Sequence, residues 1–152
     1  FQNEYMPKFI TKIVNTYDNL NINCLGYCLK KGTLKKSILH KLKKEKFYSS
    51  LWLAFQKNEK CYMGLLTIFS ILVQLGYRKE YLNFIDLLCD FLESPNRGLS
   101  KAAFVIMSDM SNYEECVTIF KRKRLDNKIE AKFCDAKDQK RVKLFIDNVR
   151  KE

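Results

Sequence analysis

The sequence predicts an all-α protein, either an irregular helical bundle or a HEAT-like stack of helix hairpins, with about seven to nine helices. Apolar residues recur along the chain at the i, i+3, i+4, i+7 spacing of one helical face. Glycine (5) and proline (2) are too scarce for the many turns of a β-sandwich or barrel. The 152 residues are 47% hydrophobic, enough to bury a core, and we expect one domain over residues 1–152.

The first half of the chain predicts five helices. Pro7 suits the first turn of the first helix, and Gly32 suits the residue just after the end of the second. Thr33 is a plausible N-cap for a short helix that reaches Glu45, and Asn58 can cap a helix that ends near Gly76. The apolar stripes of the first four helices cover residues 6–17, 20–29, 34–42 and 47–55, and we expect Trp52 to be a core residue.

The second half of the chain predicts helices of the same kind. Residues 81–92 form the clearest stripe, which Ser94 and Pro95 end. Another stripe covers residues 99–110, and residues 113–120 either extend that helix or form a new one. Residues 129–149 outline a last long helix.

The composition argues against an enzyme. His40 is the single histidine, and the chain has no Gly-rich phosphate loop, no G-x-S-x-G and no H-E-x-x-H. We therefore predict no catalytic residues, no cofactor and a binding module. The uncharged stretch of residues 61–77 predicts a buried helix rather than a membrane span, because it is short and contains polar residues.

The six cysteines are expected to be reduced thiols, most of them packed as small hydrophobes, in an intracellular protein. Cys24 and Cys28 are one helical turn apart, a spacing that could hold a metal. The sequence supplies neither a second pair nor a nearby histidine, so we predict no metal site.

The net charge of +11 is concentrated in two parts of the chain. Residues 30–60 contain ten lysines against Glu45 and Glu59, and residues 121–152 contain twelve basic residues against six acidic ones. Such clusters attract polyanions such as acidic tubulin, nucleic acid or an acidic helix, unless the lysines only solvate helix faces. The candidate residues are Lys30, Lys31, Lys35, Lys36, Lys41, Lys43, Lys44, Lys46, Lys121, Arg122, Lys123 and Arg124.

The first lysine run lacks interleaved aromatic residues, which argues against sequence-specific reading of single-stranded RNA. The N-terminal helix instead suggests a protein partner. Phe9, Ile13 and Tyr17 are the candidate partner-binding residues, since they share one face of that helix and aromatic side chains are favoured at interfaces.

Three segments carry a resemblance to a known family. They are CLGYCLKKGTLKKSILHKLKKEKFYSSLWLAF, CYMGLLTIFSILVQLGYRKEYLNFIDLLCDFLES and GLSKAAFVIMSDMSNYEECVTIF. Their order and spacing resemble the C-terminal helical domain of the regulatory WD-repeat subunit of katanin, the microtubule-severing enzyme, or of its relatives that lack the WD repeats. That family usually has an aromatic residue where this chain has residues 39–42.

The katanin resemblance implies a non-catalytic domain in the cytoplasm, on the cytoskeleton. It would pair with the N-terminal helical domain of the AAA ATPase subunit as a heterodimer, and it would bind microtubules. The basic residues would contact tubulin, and the N-terminal apolar stripe would contact the partner helix. A second resemblance, carried by LLCDFLESPNRGLSKAAFVIM, is to the helical domain of a nucleolar WD-repeat protein of ribosome biogenesis. It implies a scaffold that contacts RNA or proteins.

Overall fold

The computed structural model describes residues 2–32, 36–44 and 46–151. Within these ranges the chain forms ten α-helices and no strand, which confirms the all-α prediction with one helix more than its upper limit. Three short 3₁₀ turns, Glu59–Cys61, Lys79–Phe84 and Ala136–Asp138, precede α5, α6 and α10. The helices are α1 Gln2–Val14, α2 Asn19–Lys30, α3 Lys36–Lys44, α4 Phe47–Lys57, α5 Tyr62–Gln74, α6 Ile85–Leu92, α7 Arg97–Met110, α8 Glu114–Arg122, α9 Leu125–Lys132 and α10 Gln139–Arg150.

The chain divides into two compact units, Phe1–Gly76 (unit 1) and Tyr77–Glu152 (unit 2). Gly76 ends unit 1 with a φ of +137°, a backbone conformation that favours glycine. The expected single domain over residues 1–152 stays a prediction.

Unit 1 is built on the packing of α2 against α5 and of α1 against α3. The α2–α5 crossing brings two glycines together, and a Cβ on Gly26 would lie 3.0 Å from the carbonyl oxygen of Gly64. Small residues at the crossing therefore allow the two backbones to approach closely. Fully buried side chains from four helices fill the core, among them Ile10, Ile22, Leu51 and Phe69.

Asn58 joins two turns of unit 1. Its Oδ1 accepts a hydrogen bond from the Lys60 amide (3.0 Å), which confirms Asn58 as a cap, here of the 3₁₀ turn that leads into α5. Its Nδ2 donates to the carbonyl oxygen of Tyr17 (3.1 Å), a residue with a φ of +55°. One side chain thus stabilises both the α1–α2 turn and the start of α5.

Unit 2 has an aromatic centre. Phe104 on α7 stacks on Phe133 with ring centroids 4.4 Å apart, and Phe120 lies 5.4 Å from Phe145. All four rings are buried. The α6–α7 connection follows local signals. Helix α6 ends at Leu92, just before the predicted stop at Ser94 and Pro95, and the Asn96 side chain caps α7 by accepting hydrogen bonds from the amides of residues 98 and 99.

Three sequence predictions need correction. Pro7 lies inside α1 and not in its first turn, because the helix already begins at Gln2. Proline has no backbone N–H, so its presence here removes one hydrogen bond of the helix. Trp52 is 37% exposed, because the core-facing side of α4 is already occupied by neighbours such as Leu51 and Phe55. The expected long helix over residues 129–149 is two helices, since α9 and α10 pack against each other, which one straight helix cannot do.

Gly32 follows α2 as predicted, with a φ of +74° and its amide donating to the Leu29 carbonyl (3.1 Å). The predicted helix limits at Thr33 and Glu45 lie outside the described residues.

Candidate interface for an anionic partner

The first predicted lysine cluster faces solvent in unit 1, from the end of α2 through α3 to the residue before α4. We call Lys30, Lys31, Lys36, Lys41 and Lys46 the lysine surface, and all five side chains are exposed. Lys43 and Lys44 belong to the last turn of α3, and the predicted Lys35 lies outside the described residues.

The sequence of α3 explains why its lysines face solvent. Ile38, Leu39 and Leu42 fall on one side of the helix and are buried, and α3 packs against α1 and α4. Lys36 and Lys41 fall outside this apolar stripe, on either side of it, and are exposed. Burial of the apolar stripe therefore fixes the direction of the charged stripe.

The positive charge of this surface has few acidic neighbours in sequence. Between Asp18 and Glu59 the chain contains one acidic residue, Glu45, and unit 1 as a whole has 12 lysines against 4 acidic residues. Lys30 lies in the last turn of α2, where a cation interacts favourably with the helix dipole. The net result is a field that attracts anions.

An exposed aromatic ring lies beside the lysine surface. The Nζ of Lys31 is 5.4 Å from the ring centroid of Tyr27, and Tyr27 is 62% exposed. A cation beside an accessible ring offers a partner both charge and an apolar surface.

The second predicted cluster belongs to unit 2 and is partly neutralised there. Lys123 Nζ lies 2.6 Å from Asp86 Oδ1, and this hydrogen bond raises the pKa of Lys123. Lys121 donates to the Lys151 carbonyl (2.9 Å), while Arg122 and Arg124 are exposed. The second cluster therefore offers an anion fewer uncommitted charges than its sequence suggests.

Unit 2 has basic grooves that the sequence reasoning missed. A groove of about 690 Å³ beside α10 is lined by four basic residues, two aspartates and one exposed leucine: Lys137, Lys140, Arg141, Lys143, Asp109, Asp147 and Leu144. A second groove, of about 520 Å³, contains the basic residues Arg97, Lys101, Lys132 and Lys137 together with Asp135 and Asp138. The net charge of +6 on residues 121–152 indicated a basic surface in this part of the chain. The sequence did not indicate that Arg97 and Lys101 lie beside Lys132 and Lys137, because that proximity depends on the fold.

Lys101 in this groove is committed to an internal contact. It pairs with the buried carboxylate of Asp138, and burial lowers the pKa of Lys101. The Lys101–Asp138 ion pair thus holds α7 against the 3₁₀ turn before α10, and the charge of Lys101 is already paired within the protein.

The predicted partner-binding residues are only partly exposed. Phe9 is 54% exposed and Tyr5, one turn earlier on α1, is 58% exposed. Ile13 is half-buried. Tyr17 is also half-buried, and it follows α1 in a turn, so it does not continue the helical stripe.

Exposed large apolar side chains are concentrated in unit 1. Of eight such side chains in the described ranges, seven belong to this unit. They are Tyr5, Phe9, Leu20, Tyr27, Trp52, Leu53 and Met63. Unit 1 therefore exposes both large apolar side chains and the lysine surface, and exposed aromatic side chains such as Tyr5, Phe9 and Tyr27 are of the kind enriched at interfaces.

The cysteines fit the sequence expectation only in part. Cys61 and Cys116 are buried, and burial raises the pKa of Cys116 to about 12 and also raises the pKa of Cys61. Cys24, Cys28 and Cys134 are exposed, and all six cysteines are outside any disulfide. In the described part of the chain, His, Cys, Asp and Glu residues form no group of three or more that could hold a metal ion.

Among the described residues, no helix is long and apolar enough to cross a bilayer. Comparison of the chain with protein-family models, with curated proteins and with solved structures found no match.

Proposed function

We propose that this chain is a non-catalytic interaction module that binds an acidic protein surface through the lysine surface of unit 1. The observation that carries the proposal is the combination of five exposed lysines with a segment that has one acidic residue between Asp18 and Glu59. The resemblance to the katanin regulatory subunit suggests that the acidic surface is that of the microtubule. The corresponding location is the cytoskeleton in the cytoplasm.

The chemistry of the side chains supports an acidic protein surface. Lysine presents a flexible point charge, which suits the mobile acidic tails of a polymer better than planar, bidentate recognition. Each exposed ion pair contributes only about 0.2–1 kcal/mol, so several lysines must act together. Binding through such a surface weakens as salt is added.

The exposed stripe of α1 supports a second contact, to a partner helix. Tyr5 and Phe9 are spaced i, i+4, and the half-buried Ile13 continues the same line. An amphipathic helix of a partner recognises such spacing. Under the katanin resemblance this partner is the N-terminal helical domain of the AAA ATPase subunit.

Microtubule co-sedimentation over a salt series tests the first contact. We expect the triple variant Lys30→Glu, Lys36→Glu, Lys46→Glu to bind at least about tenfold more weakly at low salt, since three attractive contacts become repulsive. The matched control is Lys57→Glu, Lys79→Glu, Lys128→Glu, which reverses the same number of exposed charges outside the lysine surface and outside the basic grooves of unit 2. Equal loss in both variants would leave only a net-charge effect and would refute the lysine surface as a site.

Binding of the purified ATPase-subunit helical domain tests the second contact. Phe9→Ser should weaken the complex, while Lys8→Ser, an exposed position on the same helix, should leave it unchanged. Circular dichroism confirms that both variants are folded. A complex unaffected by Phe9→Ser would remove the α1 stripe from the proposal.

RNA is the second candidate partner, and the exposed ring of Tyr27 beside Lys31 is the observation that favours it. A ring of this kind can stack on a base. This candidate corresponds to the nucleolar resemblance. If single-stranded RNA competes with microtubules and Tyr27→Ser weakens RNA binding alone, the nucleolar scaffold is the better proposal.

A further inference from the structure

The outer face of α2 carries two thiols one turn apart. Cys24 and Cys28 are exposed and lie in no disulfide. The opposite face of α2 is buried, with Ile22 and Leu25 among its core residues, and it packs mainly against α5. The two cysteines therefore do not serve the core of unit 1, in contrast to Cys61.

The helical spacing of this pair suits a metal ion better than a disulfide. Residues four apart on a helix have Cβ atoms about 5–6 Å apart. A disulfide requires a Cβ–Cβ distance of about 3.5–4.5 Å, so the intact helix keeps the two thiols from bonding to each other. Two Zn–S bonds of about 2.3 Å each can bridge the larger gap.

One chain supplies only half of a zinc site. Structural zinc takes four ligands in a tetrahedron, and the described part of the chain offers no third His, Cys, Asp or Glu near this pair. A second copy of the chain supplies two identical thiols on an identical helix face. Homodimers with two-fold symmetry arise in this way from a self-complementary patch.

The neighbours of the two cysteines suit such a dimer. Leu20, one turn before Cys24, is 69% exposed, and Tyr27 is 62% exposed. Both lie on the thiol-bearing face of the helix, so a second copy would cover them. Lys31 follows one turn after Tyr27, and its positive charge would offset the negative charge of a zinc–thiolate centre.

We propose that Cys24 and Cys28 of two copies of this chain bind one Zn²⁺ and so join the copies through α2. Four thiols lose their protons and form four Zn–S bonds, which releases four protons and leaves a centre of charge −2, with no change of oxidation state. This site extends beyond the interaction function proposed above, since its ligands, Cys24 and Cys28, belong neither to the lysine surface nor to the exposed stripe of α1.

The test uses the full chain, reduced and stripped of metal, with Zn²⁺ and Co²⁺ as probes. We expect light scattering to show a doubling of mass when half an equivalent of Zn²⁺ per chain is added. Binding of Co²⁺ should saturate at the same ratio of half an equivalent per chain. The bound Co²⁺ should show the absorption spectrum of a tetrahedral thiolate site. Competition with a zinc chelator should return the protein to the monomer.

Two cysteine variants provide the comparison. Cys24→Ser with Cys28→Ser should lose both the mass change and the cobalt spectrum, while Cys134→Ser, which removes an exposed thiol of unit 2, should keep both. Circular dichroism shows whether the variants fold. The proposal is overturned if Co²⁺ saturates at one per chain without dimerisation, or if the double-serine variant still dimerises with zinc.

Discussion

The close approach of α2 and α5 predicts that Gly64→Ala destabilises unit 1. A Cβ at this position would lie 2.4 Å from Asn23 Oδ1, 3.0 Å from the Cα of Asn23 and 3.0 Å from the carbonyl oxygen of Ile22. Two of these three atoms belong to the backbone of α2, so rotation of a side chain cannot relieve the contact. The two helices must move apart.

The expected magnitude follows from two opposing effects. Overpacking of a tight core costs about 1–3 kcal/mol, and alanine gains about 1 kcal/mol over glycine in helix propensity. Because backbone atoms form most of the clash, we expect the upper part of the overpacking range and a net loss of about 1–2 kcal/mol. For a unit of this size that corresponds to a fall in Tm of roughly 5–15 °C.

Thermal and urea unfolding, followed by circular dichroism, measure this loss. Asn23→Ala alone should change stability little, because its side-chain amide makes an exposed hydrogen bond to Asn19. In the double variant it should recover part of the loss, since it removes the 2.4 Å contact and leaves the two backbone contacts.

Gly32→Ala is the matched control. Among the described residues, no atom beyond the chain neighbours of Gly32 lies within 4 Å of a Cβ at this position. Its φ of +74° predicts a loss of about 1 kcal/mol that Asn23→Ala cannot rescue. If Gly64→Ala stabilises the protein, or if Asn23→Ala rescues both glycine variants equally, the close-packing argument is wrong.

Three further predictions concern turns and an ion pair. Asn58→Asp keeps the acceptor for the Lys60 amide but loses the donor to Tyr17, so it should cost about 1 kcal/mol, and Asn58→Ala about 2 kcal/mol, in urea unfolding. Arg124 has a φ of +54°, which is unfavourable for a residue with a Cβ, so Arg124→Gly should raise the free energy of unfolding by about 0.5–1 kcal/mol. Arg122→Gly, inside α8, should instead lower it by about 1 kcal/mol. Equal effects of the two variants in thermal unfolding would show that the backbone at Arg124 is not strained. Burial tends to raise the pKa of Asp126, but hydrogen bonds from Arg150 and from backbone amides outweigh it and lower that pKa below its ordinary value. The stabilisation from Asp126 should therefore be present above about pH 4 and be lost as pH falls through the lowered pKa, and Arg150→Gln should flatten this part of the urea-midpoint curve measured from pH 7 to pH 2.

Local signals in the sequence predicted most of the helices. The stripes of α4 and α6 and the caps at Gly32 and Asn58 depend on residues within one or two turns of each other, so the pattern contains the information. The same holds for the direction of the lysines on α3, because burial of Ile38 and Leu42 leaves one side of the helix for charge.

Two differences between the sequence predictions and the structure depend on distant partners. The break between α9 and α10 reflects the burial of Phe133 against Phe104, and no residue within that segment is proline or glycine. The neutralisation of Lys123 depends on Asp86, 37 positions earlier in the chain. Periodicity shows that a helix face is covered, but it does not show which element covers it.

The sequence by itself determined that the chain is helical and that its positive charge is concentrated in two segments, because periodicity and composition are properties of neighbouring residues. Only the tertiary structure decided which of those charges remain exposed, which glycines must stay glycine, and that Cys24 and Cys28 face away from the core of unit 1. Those properties depend on contacts between elements, and contacts form only when the helices pack.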